Sequence, residues 1–245
     1  MDLSATPLPT DTVGLLEGLT TTRAIRRYRR EPIPPADLRA ILFGATRAPS
    51  GSNRQAFRFL VLTDGQNAIE AKRLIGEAAR AMWAAKREAD SYETGSGRDD
   101  SSPKARMAHT MQRFVDEFEH VPALVLPCLQ RHRQANSSEG ASIYPACQNL
   151  LLAARALGYG GVLTGWHTSV ETELRDLLEI PDGVFMAATI SLGRPEGGHG
   201  PVRRLPLNQF VFAESWGVAP DWAVDPPGTA HAAAGPPPNS RGTAE

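Results

Sequence analysis

The chain is poor in cysteine, balanced in charge and without long apolar runs, and each shortage removes a class of function. Its 245 residues include two cysteines, Cys128 and Cys147. Both fall inside apolar runs, where a thiol behaves as a small buried hydrophobe, so no disulfide framework is expected. Lys and Arg number 26 against 27 Asp and Glu, a formal net charge of −1. No overall field then draws the chain to nucleic acid or an anionic membrane surface. No apolar stretch approaches the ~20 residues that a membrane-spanning helix needs. The start Met1-Asp2-Leu3-Ser4 lacks a basic segment followed by an apolar one. These absences predict a cytoplasmic protein with small-molecule partners, no nucleic acid and no membrane.

Motifs that would bring their own chemistry are also missing. Gly158-Tyr159-Gly160-Gly161-Val162-Leu163 imitates two glycines of a dinucleotide fingerprint, but Leu163 takes the third glycine's place. The segment also ends a helix and enters a strand, whereas the fingerprint requires a strand, a turn and then a helix N-terminus. No phosphate loop of the Gly-x-x-x-x-Gly-Lys type and no Gly-x-Ser-x-Gly elbow occurs. The six histidines have no cysteine or carboxylate at ligand spacing, so no metal is expected. Cys147 sits on the apolar face of a helix pattern, far from a helix terminus that would lower its pKa, and reads as core. If the chain is an enzyme, a cofactor carries the reaction.

Helical and strand patterns interleave between two irregular ends. Val13, Leu15, Leu16 and Leu19 mark a short first helix, and Pro35 with Leu38, Ile41, Leu42 and Ala45 a second. A strand is predicted over 57–62, a helix over 68–86 and another over 104–119. The polar stretch 87–103 between those helices reads as a mobile excursion. In the apolar run 121–129 two prolines each remove a ladder donor, which predicts a strand with interrupted pairing near a sheet edge or bulge. The broad apolar stripe over 142–157 predicts a central helix, stopped by Gly158. A strand over 161–166 follows, then a capping box at Thr168-Ser169-Val170-Glu171 opening a helix through Leu178, and a last strand over 184–192. The alternation lacks a regular βαβ period, which predicts an α+β layered fold. Residues 11–218 form the expected domain, and the Pro/Ala/Gly-rich 219–245 a disordered or loosely docked tail.

Four segments carry the functional signal. Ala48-Pro49-Ser50-Gly51-Ser52-Asn53-Arg54-Gln55 packs amide, hydroxyl and turn-forming residues between a helix and a strand. Such a loop can face a flat, heteroatom-rich ring. Upstream stands Thr22-Arg23-Ala24-Ile25-Arg26-Arg27-Tyr28. Downstream come Gln148-Asn149-Leu150 through Gly158, and Arg203-Arg204-Leu205-Pro206-Leu207. In this order and spacing the four resemble the nitroreductase family of FMN-dependent oxidoreductases, over roughly residues 13–216.

The resemblance implies a mainly antiparallel mixed sheet flanked by helices, an intertwined homodimer, FMN as cofactor and NADPH or NADH as hydride donor. It implies ping-pong reduction of a nitroaromatic, quinone or similar small-molecule acceptor, with the flavin N5 and no side chain carrying the chemistry. Arg23, Ala24, Arg26 and Arg204 would hold the flavin and its phosphate. Pro49, Ser50, Gly51, Asn53 and Gln55 would reach the neighbouring subunit's flavin, and Leu163, Thr164 and Gly165 would set a backbone amide near N5. Thr22, Ala24, Ala56-Phe57, Thr164 and Val202 depart from common family residues, so the phosphate site would hold fewer cations. Ala24 also stands where flavin-fragmenting relatives carry an aspartate, which disfavours that reaction. Dehalogenation, azoline oxidation and non-catalytic FMN binding or sensing are the remaining alternatives.

Overall fold

The computed structural model describes residues 6–232. The expected tail residues 233–245 and the first five residues therefore lie outside the described residues. Contacts divide the chain into two compact units, residues 1–199 and 200–245.

The first unit is a five-stranded sheet covered on both faces. Its strands are β1 (Phe57–Leu62), β2 (Ala123–Gln130), β3 (Gly160–Thr164), β4 (Val184–Met186) and β5 (Thr189–Gly193). The order is β1-β2-β5-β3, with β4 also pairing β2, and all these pairings are antiparallel. Among the described residues six helices surround them: α1 (Leu15–Thr21), α2 (Pro35–Ala45), α3 (Gln66–Ala89), α4 (Pro103–Asp116), α5 (Tyr144–Ala156) and α6 (Glu171–Leu178).

β2 shows how the sequence builds the two layers. Successive side chains alternate faces in a strand. Ala123, Val125 and Leu129 join α2 and α5 in one core, whereas Leu124, Leu126 and Cys128 join α3 and α6 in the other. Both faces are covered, so the strand is apolar throughout rather than alternating. It lies inside the sheet, so of the two places expected for its prolines, a sheet edge or a bulge, the edge is excluded. The expected interruption is present: β2 pairs β5 over 123–125 and β4 over 128–130, leaving a break between them. The Pro127 carbonyl accepts from Ala187 N–H at 2.9 Å across that break. In an antiparallel strand a residue's N and carbonyl point to the same edge, so Pro127's missing donor faces a place where no ladder bond is due. The single strand expected over 184–192 is accordingly two, split at Ala187-Ala188.

Two further expectations are corrected. The capping box does not form: the Thr168 hydroxyl donates to the Gly165 carbonyl at 2.9 Å within a 3-10 turn, and α6 starts at Glu171 without a side-chain cap. The 87–103 stretch, expected to be too polar to pack, makes packing contacts. α3 continues to Ala89, Tyr92 meets Trp83 edge-on at 5.2 Å, and the buried Ser102 caps α4 by accepting from Ala105 N–H at 3.0 Å. Its polar composition concealed one aromatic anchor and one N-cap.

Close approaches of backbone fix the rest. α5 packs on α2 at Gly44, where a Cβ would stand 2.9 Å from the Ala153 Cβ. Lys72 is buried, its ammonium donating to the Val121 carbonyl at 2.8 Å and also to that of Thr63, which ties α3 to the sheet. Both cysteines are buried and unpaired with each other, and burial pushes the Cys128 thiol to about 11 and the Cys147 thiol to about 12. Among the described residues no helix is long and apolar enough to cross a membrane.

The described residues of the second unit, 200–232, are irregular, with a 3-10 turn at Leu207–Gln209. Leu207 N–H donates to the Asp225 carboxylate at 3.0 Å, and the Phe212 and Trp216 rings lie 5.2 Å apart.

Candidate functional site

The arginine-bearing segment 23–28 is held by the glycines that imitated a dinucleotide fingerprint. Ile25 N–H donates to the Gly161 carbonyl at 3.0 Å, and a Cβ on Gly160 would lie 2.4 Å from Ile25 Cγ1. Without a side chain at 160, Ile25 seats on the start of β3. The Tyr28 hydroxyl reaches the Ile25 carbonyl at 2.5 Å and the Ser191 Oγ at 2.9 Å, and burial raises its pKa above the ordinary value. Arg29 N–H donates to the Arg194 carbonyl, and Glu196 N–H to that of Arg27. The backbone is thereby pinned, and the arginine side chains project from it.

Those side chains enclose a cavity of about 460 Å³ between the 23–27 segment, the first turns of α4 and residues 195–198. Arg23 and Ala24 are exposed, and Arg23 donates to the Gly198 carbonyl at 3.1 Å. Arg26 is half-buried. Its Nε is enclosed with no hydrogen-bond partner, and burial lowers its pKa from the ordinary value while Tyr28 opposes the shift. A buried donor of this kind is costly unless something accepts from it. Among the described residues no carboxylate lines the cavity. A phosphate dianion in the cavity would fit the uncompensated charge of these arginines.

The 49–55 loop is built differently. Gly51–Asn53 form a 3-10 turn, tied by Gly51 N–H to Ser142 Oγ at 3.1 Å and Gln55 N–H to Ser50 Oγ at 2.9 Å. Ser52, Asn53 and Gln55 all take left-handed backbone, with φ of 53°, 51° and 50°. For residues with a Cβ this is strained, and three in four positions hold the Asn53 and Gln55 side chains outward on an exposed surface. Pro49 is exposed beside them. Part of the loop lines a separate pocket of about 140 Å³ with residues of the 131–142 segment. Within one chain, therefore, Arg23, Ala24 and Arg26 share one cavity and Ser50 and Gly51 another, while Pro49, Asn53 and Gln55 line neither.

At the end of β3, Leu163 is exposed at 40%, Thr164 half-buried and Gly165 exposed, with no atom within 4 Å of a Cβ built on Gly165. Gly165 lies four positions after Gly161, where the arginine segment docks, or about 13 Å away at the rise of a strand. Arg204 belongs to the second unit, where its carbonyl accepts from Ala232 N–H and its guanidinium donates to the Arg203 carbonyl, both at 2.9 Å. Arg27 and Arg106, on the cavity wall, were not singled out in the sequence: Arg27 stood in a basic run and Arg106 in a helix pattern. Among the described residues no group of three or more His, Cys, Asp or Glu could hold a metal ion.

The model of the nitroreductase family matches residues 19–194. The chain belongs to the nitroreductase family. It is an oxidoreductase, and the match spans the arginine segment, the 49–55 loop and the end of β3. A protein of Thermus thermophilus named NADH dehydrogenase is 28% identical over 209 residues, 78% of this chain and 91% of that protein. A Desulfovibrio desulfuricans protein of nitroreductase type, solved in complex with FMN, is 24% identical with a TM-score of 0.58, over 83% of this chain and 98% of that one. An iodotyrosine deiodinase bound to FMN and 3-iodo-L-tyrosine is 20% identical with a TM-score of 0.58, over 82% and 99%. The two solved structures share the fold of this chain.

Proposed function

We propose that this chain is an FMN-dependent NAD(P)H oxidoreductase that reduces nitroaromatics, quinones or similar acceptors in a ping-pong cycle, in a cytoplasmic setting. The observation that carries it is the cavity around Arg26, whose enclosed Nε has no partner and whose walls hold no carboxylate. The residues fit the flavin's phosphate at one end and its ring at the other, where Gly165 leaves the strand end open.

On this reading Arg23 and Arg26 bind the phosphate. Leu163, Thr164 and Gly165 border the ring, with the Gly165 backbone able to approach it closely. Asn53 and Gln55, with Pro49, Ser50 and Gly51 shaping the loop, serve the flavin of a second copy, which accounts for their separation from Arg26 within one chain. FMN, when bound, would supply hydride acceptance from the nicotinamide and electron delivery to the acceptor. The protein's part is to bind, orient and limit access.

A homodimer is part of this proposal. α1 exposes Leu15 at 71% and Leu16 at 77%, and the second unit exposes Trp216 and Trp222. Such apolar exposure fits a partner surface. Steady-state NAD(P)H oxidation tests the reading: turnover that rises with added quinone or nitroaromatic supports it. FMN binding without acceptor-dependent oxidation would make the chain a flavin store or sensor. The deiodinase fold neighbour motivates an iodide-release assay with halogenated phenols alongside.

A further inference from the structure

The cavity holds more positive charge than a flavin phosphate uses. Arg23, Arg26, Arg27 and Arg106 all line it, and none makes an ion pair with a described carboxylate. Arg23 and Arg106 donate only to the neutral carbonyls of Gly198 and Ser101. Asp99 lies near enough to feel Arg106, but its carboxyl is held below the ordinary range first by the Ser101 hydroxyl and backbone, and it does not line the cavity. The phosphate of FMN is at most a dianion, which Arg23 and Arg26 balance. Arg27 and Arg106 remain, one on the pinned N-terminal segment and one on the first turns of α4. The N-terminal end of α4 at Pro103 adds partial positive charge in the same place. At about 460 Å³ the cavity has the size of a ligand site rather than of one phosphate group.

Resting on the FMN and NAD(P)H reading above, we propose that Arg27 and Arg106 form a seat for the 2′-phosphate of NADPH and so set NADPH over NADH. The two donors differ only at that ribose. A free 2′,3′-diol is recognised by a carboxylate that accepts its hydroxyl protons, whereas a 2′-phosphate is recognised by arginine. This cavity offers guanidinium groups and no carboxylate. Arginine also meets phosphate with two parallel N–H donors, which a lysine would not.

The test uses the FMN-loaded protein and two probes, adenosine 2′,5′-bisphosphate and AMP, titrated calorimetrically into the parent and into Arg27→Gln, Arg106→Gln and the double variant. Both side chains are exposed, so the variants retain the fold, which an unchanged melting temperature verifies. The parent should bind the bisphosphate at least tenfold tighter than AMP, and the double variant should bring the two within about twofold with AMP affinity unchanged. The NADPH/NADH ratio of kcat/KM should fall in step. Equal affinity of the parent for both probes, or equal loss of both in the variants, overturns the seat while leaving the flavin reading intact. Failure of the parent to take up FMN overturns the flavin reading itself.

Discussion

Gly160→Ala should disturb the arginine segment more than any surface change, and the structure supplies the magnitude. The added methyl would sit 2.4 Å from Ile25 Cγ1 and 2.9 Å from Ile25 Cβ. Ile25 is itself buried at 7% exposure, and its N–H is bonded to Gly161. It cannot swing away without breaking that bond or leaving the core. Overpacking of this kind costs about 1–3 kcal/mol. For a domain of this size each kcal/mol lowers Tm by roughly 2–4 °C, so a fall of about 2–12 °C is expected. Ile25→Ala alone removes Cγ1 and costs about 2–5 kcal/mol as a cavity. In the double variant the new methyl occupies part of that cavity, so the combined loss should be smaller than the sum of the singles by about 0.5 kcal/mol or more. Urea denaturation of the four proteins completes the cycle. Additive losses, or an unchanged stability in Gly160→Ala, would mean that Gly160 is not what seats the arginine segment.

Arg26→Ala should reduce FMN affinity about tenfold or more, by equilibrium dialysis, while leaving Tm unchanged or higher, because the enclosed Nε has no protein partner to lose. A fall in Tm without loss of FMN would reassign Arg26 to structure. His167 is buried between Thr189 Oγ1 at 3.2 Å and the Met186 carbonyl at 3.0 Å, and desolvation lowers its pKa below the ordinary 6.5. Its proton binds the unfolded chain more readily, so its contribution is complete above about pH 6.5 and is lost as pH falls through the folded-state value. His167→Gln should therefore lose less stability than the parent between pH 7.5 and 5.5, with His199, whose pKa is also lowered by burial, acting unchanged in both; equal losses would contradict this. Sedimentation should show a dimer that persists at nanomolar concentration, with an interface of about 2,000 Å² or more. An FMN-bound, active monomer would refute the shared site.

The sheet layers and most helices were legible because their apolar periods are clean: α2, α5 and β1 follow the spacing of their buried residues, and Pro35 marks the start of α2 at the expected residue. β2 was legible as a strand but not as a central one. Its prolines read as edge signals, and only the break between β4 and β5 shows where Pro127's missing donor falls. Thr168 resembled a cap because spacing alone does not reveal that the chain first makes a 3-10 turn. Ser102 and Tyr92 were hidden in a polar stretch by their neighbours. In the candidate site, the arginine segment and the 49–55 loop were visible as residue types, whereas their seating was not. Gly160 acts on Ile25 from 135 residues away, and Arg106 reaches the cavity only because α4 packs beside the N-terminal segment.

The central claim, that the carboxylate-free arginine cavity and the open end of β3 belong to a flavin site, is tested most directly by titrating FMN into the flavin-stripped protein and following flavin fluorescence and the visible absorbance spectrum. The account predicts saturable quenching at one FMN per chain, with the purified protein yellow before stripping. A colourless protein that leaves FMN fluorescence unchanged at every concentration would contradict it.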